Sequence, residues 1–183
     1  GSGLWRHRAL FQSAEPTYHL GQLEAADDLF ERCVAVARKV EPPVVGMSRA
    51  MQAACRLRRG ASPDEVVAAL AYLLDAIALL SAPDGLALAE PGAPMMALVA
   101  LGVHAWALVL AERYADALAS ARKSLAVVAG KGDDAIAFAR AMDGVAHAAL
   151  ALTRLAELRR EGAAGTSGLP PEEELLADAE RAA

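Results

Sequence analysis

Apolar residues recur at three- and four-residue steps along most of this chain, the spacing of one face of an α-helix. The clearest run is Leu101 to Gly130, LGVHAWALVLAERYADALASARKSLAVVAG. It predicts two helices joined by a tight turn near Glu112-Arg113. Beyond the turn, Tyr114, Ala117, Leu118, Ala121, Leu125 and Val128 fall on one face. Ala105 is a small residue on the first helix, where it lets two helix backbones approach closely.

The rest of the chain reads in the same way. Gly1-Ser2-Gly3 reads as an expression tag, and the absence of an initiator methionine at Leu4 suggests a domain taken from a longer protein. A first helix runs from Leu4 to about Glu15. Pro16 predicts a break or kink, because it lacks an N–H and crowds the preceding turn. The helix resumes through Tyr18 to Leu20, and Gly21 turns the chain. In GQLEAADDLFERCVAVARKVEPP, Leu23, Ala26, Phe30 and Cys33 form the second apolar face, and Pro42-Pro43 stop the helix. Val45 to Arg59 is a third helix, closed by Gly60. Ser62-Pro63-Asp64-Glu65 opens a fourth, with a capping Ser, a Pro suited to the first helical position and a capping box. That helix reaches about Leu80, with Val66, Leu70 and Leu73 on its apolar face.

Ser81 to Pro94 is rich in Pro and Gly and interrupts the helices. Asp133-Asp134 cap a seventh helix that reaches about Leu152. Leu155 to Arg160 either continues it or follows a turn at Thr153-Arg154. The helical domain thus spans residues 4–161. Residues 162–170 are rich in Gly, Ser and Ala and predict a flexible loop. Residues 171–183 then form a last helix, opened by Pro171 and Glu172 to Glu174.

The 101–130 unit resembles a tetratricopeptide repeat. Ala105 takes the family's small mid-helix position and Tyr114 the aromatic after the turn, followed by Ala117, Ala121 and Ser124. The family places a bulky residue at the middle of these three, where this chain has only Ala121. The matching positions Ala26, Val66, Ala117 and Leu158 recur at steps of 40, 51 and 41 residues, longer than the family's usual repeat of about 34. Repeats of this length resemble the helical segment of large ATPase-containing transcriptional regulators of the LuxR type and of related antibiotic regulators. The stretch YADALASARKSLAVVAGKGDDAIAFARAMDGVAHAALALTRLAEL, with its turn at Gly132-Asp133, carries that likeness best. The resemblance covers most of Leu4–Arg160. It implies an all-α solenoid of about four helix hairpins, seven or eight helices in all. It also implies a regulatory part of a larger protein, one that binds a ligand or partner without chemistry of its own.

Composition agrees with the helical reading. The 183 residues are 55% hydrophobic and 4% aromatic, roughly a quarter are alanine, and alanine, leucine, arginine and glutamate all favour helices. The bias to arginine over lysine suggests a GC-rich bacterial source. The net charge is −5 with the signs interspersed, so there is no basic stripe for a nucleic-acid backbone. Arg56, Arg58 and Arg59 read as cations complementing a helix C-terminus. Cys33 and Cys55 sit on apolar faces and read as buried hydrophobes in a reducing cytoplasm. The apolar stretch Met95–Ala111 is interrupted by Gly102 and His104, so no membrane span is expected.

No catalytic constellation emerges. A phosphate-binding Gly-Lys-Ser/Thr loop, a nucleophile elbow and a Cys-x-x-Cys pair are all missing from the sequence, so no cofactor is expected. Asp27-Asp28 and Asp133-Asp134 are neighbours pointing about 100° apart on a helix; they read as a solvated face and a helix cap. His7, His19, His104 and His147 contain no i, i+4 pair, so no helical metal site is expected. Stacked hairpins line a concave surface with their first helices. Aligning the repeats places Arg8, Phe11 and Glu15 there in the first hairpin, Trp106 in the third, and Arg140, Asp143 and His147 in the fourth. Such a groove suits a protein or peptide partner, or a small polar ligand. The alternative is a small-molecule-sequestering or enzymatic helical protein with an interhelical pocket. A self-associating scaffold, a homodimer through the terminal hairpins, is a further option.

Overall fold

The computed structural model describes residues 2–37, 42–80, 93–128 and 144–182. Among them it contains eight helices and no strand: α1 Ser2–His19, α2 Leu23–Ala37, α3 Pro42–Arg58, α4 Pro63–Leu80, α5 Ala93–Leu110, α6 Tyr114–Val128, α7 Gly144–Arg160 and α8 Glu172–Ala182. The expected all-α hairpin architecture is therefore what forms. The chain divides into two compact units, Gly1–Met96 and Ala97–Ala183.

Four helix ends share one device. After α1, Gly21 N–H donates to the Tyr18 carbonyl at 2.9 Å and Gln22 N–H to the Thr17 carbonyl at 3.1 Å. After α3, Gly60 and Ala61 donate to Leu57 and Arg56; after α5, Glu112 and Arg113 donate to Val109 and Leu108; after α7, Gly162 and Ala163 donate to Arg159 and Leu158. Each is a Schellman cap, which satisfies two stranded carbonyls and requires a left-handed residue at its pivot. Glycine fills the pivot at 21, 60 and 162, while Glu112 is forced there at φ 58°. In the first three cases the next helix starts within three residues of the pivot. The caps thus fold the chain into hairpins. On the second helix of each, Ala26, Val66 and Ala117 are buried at matching positions.

In the first unit, α1 packs on α2, α2 on α3 and α3 on α4. His7, Phe11, Ala14 and Tyr18 form the inward stripe of α1 and meet Ala26, Phe30 and Cys33 of α2. The Phe11 and Phe30 rings lie edge to face, with centroids 5.5 Å apart. Pairs of this geometry add about 0.5–1.5 kcal/mol beyond their area burial. In the second unit, α6 packs on α7, α7 on α8, and α6 also touches α8. Most described side chains of α5, from Leu98 to Val109, are buried, the pattern of a helix enclosed on nearly all sides.

Several local expectations are corrected. Pro16 does not end the first helix: α1 runs through it. Pro16 and Gln12, whose carbonyl it leaves without an N–H donor, are both exposed, so solvent can supply the missing bond. Ser13 and Thr17 hydroxyls donate to the Ala9 and Ser13 carbonyls at 3.0 and 2.7 Å around it. Pro42 and Pro43 lie in the first turn of α3, where no N–H partner is needed. The helix also begins at Ser2, so part of the tag-like Gly1-Ser2-Gly3 is helical.

The alternative left open at Thr153-Arg154 resolves to one continuous α7. Arg154 spans the would-be turn with ion pairs to Glu157 at 2.7 Å and Glu161 at 3.8 Å. Leu158 therefore lies on the same helix as His147, and α8 is the helix that packs back on α7. Residues 162–170, read from composition as a flexible loop, form hydrogen-bonded turns. The Thr166 hydroxyl donates to the Ala163 carbonyl at 2.6 Å, Leu169 N–H donates to the Thr166 carbonyl at 3.0 Å, and Thr166 and Leu169 are buried.

Candidate functional site

The polar groups with chemical potential fall into two kinds, those spent in holding helices together and those left open. Ser48 of α3 stands between His7 of α1 and Cys33 of α2. The His7 Nε2 lies 3.1 Å from the Ser48 hydroxyl, and Ser48 also offsets part of the burial effect on the Cys33 thiol. A histidine beside a serine suggests nucleophilic chemistry, but Ser48 has no exposed surface and is closed to substrate. Burial lowers the His7 pKa below its ordinary 6.5 and pushes the Cys33 thiol up to about 11. Burial, reinforced by the charge of Asp27, pushes Cys55 up to about 12. Both cysteines are free and buried, and at neutral pH they are thiols rather than thiolates. His104 of α5 is likewise lowered, first by burial; its Nδ1 lies 3.0 Å from the Ser120 hydroxyl of α6.

Two buried carboxylates serve the same structural end. Asp27 is not part of a solvated face. Its Oδ2 takes Arg59 at 3.2 Å and Arg56 at 3.5 Å, tying α2 to the end of α3, while its buried Oδ1 has no hydrogen-bond partner among the described residues. The expected dipole role of those arginines thus comes with a specific acceptor. Asp178 of α8 receives Arg122 of α6 at 2.8 Å and also pairs with Arg181. Arg122 reaches Glu174 at 2.6 Å as well. Its hydrogen bond to Asp178, more than any other influence, raises the Arg122 pKa above the ordinary guanidinium value. Among the described residues, no group of three or more His, Cys, Asp or Glu could hold a metal ion.

Among the described residues, a cleft of about 130 Å³ lies along the α3–α4 seam. Arg49, Gln52 and Arg56 reach it from α3 and Glu65 from α4, with Val66 and Leu70 beneath. The three α3 residues stand at steps of three and four, so they share one face. The cleft exists because the neighbouring lining positions are alanines, Ala53, Ala61 and Ala69, which leave space that larger side chains would fill. Gln52 is only 6% exposed, yet no described residue hydrogen-bonds its amide. Gln52 lines the cleft, so its amide meets the solvent there with donor and acceptor uncommitted to any described residue. The Arg49 guanidinium likewise has no ion-pair partner among the described residues, whereas Arg56 is shared with Asp27.

The residues expected to line a concave groove fare differently from one another. Arg8 is exposed and Glu15 half-buried on α1, whereas Phe11 is 7% exposed and packs against Phe30. These three lie in the first compact unit. Trp106, half-buried on α5, and His147, buried on α7, belong to the second. Arg140 and Asp143 lie outside the described residues. Sequence reasoning missed the α3–α4 cleft. The signal available was the Arg49, Gln52, Arg56 spacing facing an Ala-rich partner helix. Compared with protein-family models, curated proteins and solved structures, the chain matches none of them.

Proposed function

We propose that this chain is a helical-hairpin binding module that senses a ligand or partner and carries out no chemistry of its own. The observation that carries the reading is the α3–α4 cleft. There, the amide of Gln52, a residue 6% exposed, and the Arg49 guanidinium stand uncommitted among the described residues, while most other buried polar groups are engaged in ties between helices. Raised thiols and an inaccessible serine offer no activated nucleophile. Stacked hairpins suit this role, since their rigid helices hold side chains at fixed spacing. The resemblance to the helical segment of LuxR-type regulators adds the expectation that binding biases a neighbouring domain and, through it, transcription. Native mass spectrometry of the purified protein tests the reading. A bound mass that disappears in the Arg49→Ala variant supports it. Turnover of any retained compound, or retention unaffected by cleft variants, refutes it.

A further inference from the structure

We infer that the α3–α4 cleft takes a small α-amino acid as its zwitterion, an assignment that deepens the sensing role proposed above. Three features fit that chemistry together. Arg49 offers a guanidinium with no partner among the described residues, and a guanidinium fork matches a carboxylate. Glu65, across the cleft on α4, offers a carboxylate that an ammonium would satisfy. Gln52, which also lines the cleft and is 6% exposed, supplies an amide that can donate to the ligand's carboxylate or accept from its ammonium. Arg56 also lines the cleft, but Asp27 already draws its charge. The lining thus presents one uncompensated cation and one anion. A ligand with only a carboxylate would leave Glu65 unanswered and set like charges facing each other.

Size sets the class within the zwitterions. A cavity of about 150 Å³ accommodates benzene, with its six heavy atoms. The 130 Å³ here is close to that and below the usual 300–1,000 Å³ of drug-sized pockets. Alanine has six heavy atoms, and Val66 and Leu70 give its methyl group an apolar floor.

Isothermal titration of the full chain with L-alanine, propionate and ethylamine tests the assignment. Alanine is expected to bind at least tenfold more tightly than either single-charge probe. Arg49→Ala and Gln52→Leu each weaken alanine binding at least tenfold. Glu65→Gln weakens alanine and strengthens propionate, because it removes the like charge that faces the propionate carboxylate. Arg49 and Glu65 are exposed, so their variants keep the helical circular-dichroism signal even if Gln52→Leu does not. Propionate binding as tightly as alanine, or Glu65→Gln without effect on alanine, overturns the zwitterion assignment. So does the absence of any alanine binding. In that case a different retained mass, lost in Arg49→Ala, would leave the sensing role standing and sink only the ligand class.

Discussion

Removing the Arg122 charge should destabilise the fold more than removing the Asp178 charge, although both changes break the same bond. The reason is which charge is left behind. The Asp178 side chain is 3% exposed and the Arg122 side chain 40% exposed. Arg122→Met keeps the aliphatic stem but leaves a buried carboxylate with Arg181 as its remaining charged partner. Breaking a fully buried pair costs about 3–5 kcal/mol, because an uncompensated charge stays in a low dielectric. The surviving Arg181 and the partial exposure of Arg122 reduce this to about 2–3 kcal/mol. Asp178→Asn leaves Arg122 free to keep Glu174 at 2.6 Å and to reach solvent, and the buried amide can still accept a bond. Its cost should be about 1 kcal/mol, that of a weakened hydrogen bond. For a chain of this length each kcal/mol moves the midpoint by about 2–4 °C, so Arg122→Met should lower it by roughly 4–12 °C. Urea unfolding followed by far-ultraviolet circular dichroism, with the double variant completing the cycle, measures both terms. Equal costs for the two variants, or an Arg122→Met protein as stable as the parent, would refute the reasoning.

Further outcomes follow from the same structure. Glu112→Gly should stabilise the protein by about 0.5–1 kcal/mol, because the α5 cap holds a non-glycine residue at φ 58° where glycine carries no steric penalty; thermal unfolding reads the gain, and a loss would count against a strained cap. His7 and His104 are held below their ordinary 6.5 by burial. Their rings stay neutral when folded, while the unfolded chain takes up protons below about that pH. Stability is therefore full above pH 6.5 and falls as pH drops toward the depressed folded values, and His7→Gln should flatten part of that slope in denaturant titrations at pH 7.5 and 5.5. Native Cys33 and Cys55 should react with iodoacetamide at pH 8 far more slowly than in urea, since their thiols titrate near 11 and 12; equal rates would contradict their burial. Thr166→Val should cost about 1 kcal/mol and open residues 162–170 to limited proteolysis, because it removes the hydroxyl's 2.6 Å bond to the Ala163 carbonyl and leaves that carbonyl the longer 3.2 Å bond from the Thr166 N–H.

Much of the helical order is legible in residue spacing. The α5–α6 turn, the Ser62-Pro63 start of α4 and the glycines at 21 and 60 all act through neighbours within a few positions. The exceptions are equally physical. Pro16 fails to break α1 because its face is exposed and solvent can meet the stranded carbonyl. The 162–170 segment looks like a linker by composition, but its glycines serve caps and contacts. Gly162 supplies the left-handed pivot of the α7 cap. Tyr114 lies 3.5 Å from where a Cβ on Gly165 would sit, so that turn packs beneath the aromatic that follows the α5–α6 hairpin.

The groove residues illustrate the remaining gap. Period alone places Arg8, Phe11 and Glu15 on one stripe of α1, but Phe30, nineteen positions beyond Phe11, decides that the ring of Phe11 is core. Likewise Asp27 looks like half of a surface acidic pair until Arg56 and Arg59, 29 and 32 positions away, fold back onto it. Helix type, helix ends and hairpin turns were determined by the sequence itself, since hydrogen bonds and backbone torsions within a few residues set them. Which polar side chains meet, which carboxylates are buried and where a cleft is left open was decided only by the tertiary structure. Those outcomes depend on side-chain volumes and charges brought together from distant positions, such as Arg122 and Asp178, 56 residues apart.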